Sequence, residues 1–335
     1  METVRVCRQE DLFIVWQKTK EQTACIMRVF GSSPHLCLPD VITEKAEQKE
    51  YEITELAPYC FSQSRHFAVC EADELAEMTQ DVRELCGDYV KRIELPKGLQ
   101  KIGNAAFYNC RNLKWLSVGD KISDIGGDVF MNCERLHLIQ IRCGALEPSG
   151  AKQILSRISS ELEIVFETET GIQARLLYPE YFETYDEIAP AHIFGCNVTG
   201  EGFRARQCFA QGVVDYMRYD EVFAKATVSE GKEILCRYAM NRLCYPVNLS
   251  EAHQKEYMDY LKENEGYLMK YMVQNRRLFE LQFGMEHQIF SEKMVEQAVS
   301  QATNCDWSEG ALSMMQWKHQ YYGHFQNKKK RYAFD

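Results

Sequence analysis

No apolar run in this 335-residue chain approaches the roughly 18 residues that a membrane span needs. Base is not in excess either. With 39 Lys and Arg against 49 Asp and Glu, the formal net charge is −10, which argues against a broad phosphate-binding surface. The one basic cluster, Lys328–Arg331, reads as a solvated tail rather than a nucleic-acid or membrane contact. The opening stretch "METVRVCRQEDLFIVW" has no basic segment ahead of an uninterrupted apolar core, so the expected location is cytoplasmic. No CxxC pair occurs among the 14 cysteines. A long chain without an export signal is a poor candidate for a disulfide framework, so the thiols are expected to be reduced. The sequons at Asn197 and Asn248 then carry no meaning.

The short signatures of common enzymes are missing as well. There is no G-x-x-x-x-G-K-[ST] loop, no H-E-x-x-H, no G-x-S-x-G and no dinucleotide fingerprint. "GEGFRARQCF" (Gly200–Phe209) holds a lone G-x-G and reads as a turn. His319 and His324 are five apart and do not share a helix face. Glu180 and Glu183 are expected to cap or solvate a short helix rather than to form an acid/base pair. No catalytic residue, metal ligand or cofactor is assigned. The alternative kept open is a cysteine-dependent enzyme, with Cys196 or Cys208 as nucleophile and a site within residues 196–208.

What the chain does have is a repeat. Ile102-Gly103 returns as Ile125-Gly126, Phe107 as Phe130, and Asn109-Cys110 as Asn132-Cys133, each at an offset of 23. Ahead of them, Ile93/Leu95, Leu116/Val118 and Ile139/Ile141 alternate with period two, so each pair points to one side of a short strand. Ile102 and Ile125 supply a second inward position, each followed by a glycine that suits a tight turn. Phe107 and Phe130 supply bulk. Cys110 and Cys133 are expected to fill a small buried slot rather than to ligate metal, and Asn109 and Asn132 to hydrogen-bond backbone at the turn. One such unit cannot bury its own apolar face, whereas stacked copies build a continuous core.

The pattern I-x-L-P … I-G-x-x-A-F-x-N-C-x-x-L at Ile93–Leu113 closely resembles the BspA-like class of bacterial leucine-rich repeats. "ELAPYCF" (Glu55–Phe61) looks like an earlier, degenerate copy with "LCLPD" (Leu36–Asp40) as its strand. Leu75, Met78, Val82 and Leu85 are spaced for an amphipathic helix, expected as an insertion near residues 71–88. Ser149–Phe166 reads as a helix followed by a last strand, so the resemblance covers about residues 36–166.

The flanks complete the expectation. Residues 1–35 read as two or three antiparallel strands capping the open end of the stack. Residues 169–204, rich in aromatics, Pro and Gly, read as a linker, and 205–335 as an α-helical domain. There Ile234, Leu235, Tyr238, Ala239 and Leu243 share a face, and Ser250 and Ser291 read as N-caps. The later helices are similar to ankyrin-like helix pairs but lack the T-P-L-H signature, so repetition of pairs stays an open alternative. The expected fold class is an α/β repeat: a short leucine-rich-repeat solenoid over 36–168, with a parallel sheet and a β-rich N-terminal cap, joined to an all-α C-terminal domain.

If the inner strand residues face the core, their neighbours face outward. Those are Arg92 and Glu94, Trp115 and Ser117, Leu138 and Gln140. Arg and aromatic anchors are over-represented in binding hot spots. The resemblance therefore implies a non-enzymatic scaffold or adaptor that binds a protein or peptide on this face, unless the chain's own helical half covers it.

Overall fold

The computed structural model describes residues 4–44, 48–64, 82–188 and 193–331. They fall into two compact units, residues 1–215 and 216–335.

The first unit opens with an antiparallel meander: β1 (Val4–Gln9), β2 (Leu12–Lys20) and β3 (Thr23–Gly31). β4 (His35–Cys37), β5 (Val41–Glu44) and β6 (Lys49–Leu56) follow, then the two-residue β7 (Arg83–Glu84) and a 3-10 turn at Gly87–Tyr89. The repeats contribute β8 (Arg92–Glu94), β9 (Lys101–Ile102), β10 (Trp115–Val118), β11 (Asp124–Ile125) and β12 (Leu138–Ile141). Helix α1 (Ala151–Leu155) leads to β13 (Leu162–Thr168) and β14 (Gly171–Tyr178). A hairpin of β15 (Phe182–Ile188) and β16 (Ile193–Thr199), helix α2 (Gly202–Arg206) and a small hairpin of β17 (Phe209–Ala210) and β18 (Val213–Val214) close the unit.

The repeats that carry β8–β9 and β10–β11 each run once through two sheets, whereas β12 is followed by α1. One sheet is ordered β1-β2-β3-β6-β9-β11, and the other β4-β8-β10-β12-β13-β14. In the second sheet Leu36, Ile93, Leu116, Ile139 and Ile164 stand side by side in parallel register, all buried. That places the "LCLPD" strand beside its expected neighbour. At the opposite corner the rings of Phe61, Phe107 and Phe130 stack with centroids 5.3 and 5.5 Å apart and planes 2° from parallel. The thiol of Cys110 donates to the Phe61 carbonyl at 3.2 Å, and that of Cys133 to the Phe107 carbonyl at 3.1 Å. Each cysteine therefore fills its slot and also ties its coil to the one before.

The backbone repeats too. Tyr59, Ala105 and Asp128, each two positions before a stacked phenylalanine, all take the left-handed conformation, with φ of 60, 54 and 54°. Asn109 and Asn132 do so again at 63 and 61°. Their side chains do not bond the turn backbone as expected: Asn132 Nδ2 donates to Asn109 Oδ1 at 2.7 Å, making a ladder between coils. The glycines also have a different reason from the one expected. Gly103 and Gly126 are not left-handed. A Cβ on Gly103 would strike the backbone of Ala57 and Pro58, and one on Gly126 would strike Asn104. Glycine stands there because successive coils approach too closely for a side chain.

Both ends of the stack are closed by a buried arginine. Arg28 of β3 donates to the carbonyls of Tyr59, Cys60 (3.0 Å), Ser62 (2.9 Å) and Ser64 (3.4 Å), and its Nε meets Glu84 at 3.2 Å. Arg206 of α2 donates to the carbonyls of Ile158 (2.9 Å), Pro179 (2.6 Å), Gly202 (2.9 Å) and Ser160 (2.7 Å). Each supplies donors to carbonyls that a further coil would otherwise satisfy.

Two expectations change here. Most of the helix expected near 71–88 lies outside the described residues. The part that is described, from residue 82 on, forms β7 and the 3-10 turn, with Leu85 fully buried. The segment 169–204 is not a linker. In β14 the residues Ala174, Leu176 and Tyr178 alternate into the core and pair antiparallel with β13, so this stretch completes the second sheet. Residues 205–215 likewise belong to the first unit, and the helical unit begins at Tyr216.

That unit consists of α3 (Tyr216–Ser229), α4 (Lys232–Cys244), α5 (Glu251–Glu263), α6 (Glu265–Gln274), α7 (Leu278–Glu286), α8 (Glu292–Asn304) and α9 (Ser308–Arg331). α4 packs on α5, α6 on α7 and α8 on α9, while α4, α6 and α8 also pack in series. Ser250 and Ser291 cap their helices as expected, accepting from His253 N (3.2 Å) and Met294 N (3.3 Å). Left-handed Arg276 and Asp306 end α6 and α8. The next amides, Arg277 and Trp307, reach back to Met272 and Ala302 at 2.9 and 2.8 Å, so the same closure ends the first helix of two successive pairs. At the centre Arg242 grips Asp220 bidentately at 2.7 and 2.8 Å, and Tyr257 donates to the same carboxylate at 2.7 Å.

Four outcomes test this account. Gly103→Ala is expected to cost about 1–3 kcal/mol through overpacking. Gly127→Ala, where an added Cβ meets nothing within 4 Å, should leave the melting temperature unchanged. Asp220→Ala strands a buried guanidinium and is expected to cost about 3–5 kcal/mol by denaturant titration. Burial pushes the Cys133 thiol from 9.0 up to about 12 and Cys110 well upward. The unfolded thiols ionise first, so the folded state loses stability as pH rises above 9.0, by up to about 1.4 kcal/mol per pH unit per thiol. Melts between pH 8 and 10.5 should show that decline, and Cys133→Ala should make it shallower by one thiol's share, the other buried thiols keeping theirs.

Candidate interaction face on the second sheet

Alternation along the short strands of the second sheet sends every other side chain away from the core. Two outward rows result. The first runs His35, Arg92, Trp115, Leu138, Glu163, Leu177, and the second Cys37, Glu94, Ser117, Gln140, Val165, Arg175. All six residues expected on this face therefore lie on it, three in each row. Their availability differs sharply.

In the first row, His35 and Arg92 are exposed and Trp115 and Leu138 half-buried. The Arg92 guanidinium lies over the Trp115 ring, 3.6 Å from its centroid, which orients the cation and the indole together. Toward β14 the row closes, since Glu163 and Leu177 are buried and Glu163 is paired with Arg175 (Nε–Oε2 2.7 Å). The usable stretch is His35, Arg92, Trp115 and Leu138.

The second row is occupied by the chain itself. Arg142, just past β12, pairs with Glu94 on β8 and donates to the Leu95 carbonyl. Because β10 lies between β12 and β8, this bridge crosses Ser117, which is fully buried. Ser117 is thus not an accessible contact residue, contrary to expectation. Gln140 donates to Glu167 at 2.5 Å. Reading the strands alone misses Arg142. The signal is nonetheless present, because Arg142 takes the place of Pro96 and Gly119 in the other copies.

At the strand-entry end an open groove of about 580 Å³ is lined by Lys114, Glu134, Arg135, His137, Glu161 and Glu180. A second open groove of about 520 Å³, at the last repeat corner, runs past Met131, Asn132, Arg157 and Tyr181. Neither is lined by the cysteines of the alternative reading. Cys208 is buried, its thiol donating to the Arg204 carbonyl at 3.3 Å, and Cys196 stands exposed on β16 opposite Tyr185. Glu180 and Glu183 do not share a helix. Glu183 lies in β15 and accepts from the Tyr185 hydroxyl at 3.3 Å. The G-x-G segment is a turn into α2, with Gly200 left-handed at φ 93°. Lys328–Arg331 lies in the last turn of α9.

The family comparison agrees with the repeat geometry. Residues 84–149 match the family described as BspA type leucine rich repeat region (6 copies). A leucine-rich repeat protein from Bacteroides capillosus is similar at 17% identity and a TM-score of 0.29, covering 41% of this chain and 81% of that one. A leucine rich cell surface protein from Faecalibacterium prausnitzii is similar at 15% identity and a TM-score of 0.29, covering 52% of this chain and 45% of that one. No curated protein matches significantly. The coils built around Phe107 and Phe130 lie inside the span, residues 84–149, that matches this repeat family.

Proposed function

We propose that this chain is a non-enzymatic interaction scaffold: a short leucine-rich-repeat solenoid whose outer sheet row recognises a protein or peptide partner, carried with a helical-repeat unit. The observation that carries the reading is the Arg92–Trp115 pair, a cation held on an indole in a row flanked by His35 and Leu138. Such a pair offers a flat apolar surface, an edge donor and a fixed charge without the ordering cost of two free side chains. Arg92, Trp115 and Leu138 are the contact residues, and Glu94 and Gln140 form the rim, engaged by Arg142 and Glu167. Ser117 supports the row from beneath the Arg142 bridge.

Several features support a protein partner over other classes. The net charge of −10 disfavours nucleic acid, and among the described residues no helix is long and apolar enough to cross a membrane. The buried thiols at Cys60, Cys110, Cys133 and Cys236 fit a reducing, cytoplasmic setting.

The test selects peptides by display on the wild-type chain and measures them against variants. Trp115→Ala is expected to lose about tenfold or more in affinity, equal to about 1.4 kcal/mol, with the melting temperature retained. Lys318→Ala, in the helical unit, should change nothing. Selected peptides that bind Trp115→Ala and Leu138→Glu as tightly as wild type would remove the row from consideration.

A further inference from the structure

Just ahead of the first outward row on the second sheet stands a column of exposed side chains, Lys91, Lys114 and His137, one from each of three successive coils. Backbone bonds fix its order: the Lys91 amide donates to Pro34, Lys114 to Lys91 and His137 to Lys114, at 2.9, 2.9 and 3.3 Å. Val90, Leu113 and Leu136, one position earlier, are buried, so the column lies at the corner where each coil enters its strand. Lys91 and the exposed Arg92 on one strand and Lys114 on the next gather three cations at a strand spacing of about 4.8 Å. Among the described residues none of the three is ion-paired with a carboxylate. The acids nearby flank other cations: Glu94 pairs with Arg142, and Asp88 and Glu134 each lie 3.9 Å from Arg111.

We infer that the segment recognised by this face is acidic: a short stretch of a partner protein with two or three carboxylates over Lys91, Arg92 and Lys114 and one apolar residue on Trp115 and Leu138. The inference rests on the scaffold reading above and adds the partner's chemistry to it. The chain as a whole carries a net charge of −10, so a cluster of unpaired cations sets this edge apart from the rest. Like charges held one strand apart repel, and an anion laid over them relieves that repulsion. The Arg92 guanidinium lies flat on the Trp115 ring, which leaves its fork of N–H donors for a carboxylate. The open groove of about 580 Å³ lined by Lys114 and His137 gives the segment room at strand entry. The same groove is lined by Glu161, just ahead of β13, and Glu180, just past β14. Those carboxylates set the direction: the acidic end of the segment is repelled from β13 and drawn toward β8. They also favour a short peptide over a nucleic acid, whose phosphates run on past any three cations, as do the apolar Trp115 and Leu138 within the row.

The test measures binding of labelled synthetic peptides to the full chain by fluorescence anisotropy. The probes are short peptides with two or three carboxylates and one leucine, and the same peptides with amides or lysines in place of the carboxylates. The acidic peptides are expected to bind at least about tenfold more tightly than the amide and lysine versions. Lys91→Glu combined with Lys114→Glu, both at exposed positions, is expected to lose about tenfold or more for the acidic peptides and to gain the lysine ones. Lys152→Glu combined with Lys255→Glu, exposed and equal in charge change, should bind as wild type does. Trp115→Ala, measured alongside, separates the two readings. Peptides that need Trp115 but bind equally well with carboxylates, amides or lysines overturn the acidic assignment and leave the scaffold reading standing. Peptides that bind Trp115→Ala as tightly as wild type take both away. A wild type that binds none of the probes overturns the inference, and the scaffold reading is then judged on peptides selected without charge bias. A single-stranded DNA oligonucleotide that binds as tightly as the acidic peptides and displaces them overturns it too. So does acidic-peptide binding seen only after Glu71, Asp73, Glu74, Glu77 and Asp81 are changed to their amides, which makes the chain's own acidic stretch the occupant.

Discussion

The three phenylalanines at one corner of the first unit set the rise of the whole repeat. Parallel rings 5.3 and 5.5 Å apart, tilted by only 2°, lie close to the spacing of paired strands, about 4.8 Å. One rise therefore serves the aromatic column and both sheets at once, and no coil can slip without breaking all three. The local requirements follow. A chain that returns to an equivalent place in every coil must turn sharply before each ring, which places Tyr59, Ala105 and Asp128 in the left-handed region. It must also bring successive coils together at Gly103 and Gly126, where no Cβ fits. The thiols of Cys110 and Cys133 meet a third requirement. Each is small enough for the corner and adds a second donor to a carbonyl of the coil before.

A column of this kind is satisfied only in its interior. Among the described residues, the carbonyls of Tyr59 to Ser64 at its first layer have no preceding coil beneath them, and those around Ile158 to Ser160 at its last have no following one. Arg28 and Arg206, both 3% exposed, occupy these places. A guanidinium suits the role because its five donors spread in a plane and reach several carbonyls together. Burying the charge is costly. Glu84 offsets it at one end, and the rings of Tyr178 and Tyr181, 5.8 and 5.0 Å from the Arg206 guanidinium carbon, offset it at the other.

Much of this is legible in the residues, and the reason is periodicity. Inner positions recur at a fixed interval because each coil presents the same slot, so Ile93, Leu116, Phe107 and Cys110 can be placed from sequence alone. Phe61 is found the same way, in a copy that keeps little else. Helix caps at Ser250 and Ser291 are equally readable, since their chemistry is local. What cannot be read depends on neighbours in space. The Asn109–Asn132 ladder, the close approach at Gly103 and the bridge from Arg142 to Glu94 each join residues that no local pattern connects. The aromatic segment that reads as a linker hides a strand. Ala174, Leu176 and Tyr178 do alternate, but Leu177 interrupts the pattern, being buried on the opposite side.

Repetition constrains the inside of the coils and leaves the outside to vary. At one equivalent outer position the chain carries His35, Arg92, Trp115 and Leu138, four different chemistries on strands spaced by about 4.8 Å. In the second outer row Glu94 and Gln140 are engaged by Arg142 and Glu167, so on the proposed reading discrimination between partners falls to the first. A row about 14 Å across is far smaller than the roughly 800 Å² that each side of a standard interface contributes. On the proposed reading such a row confers modest affinity, resting on Trp115 and its stacked arginine.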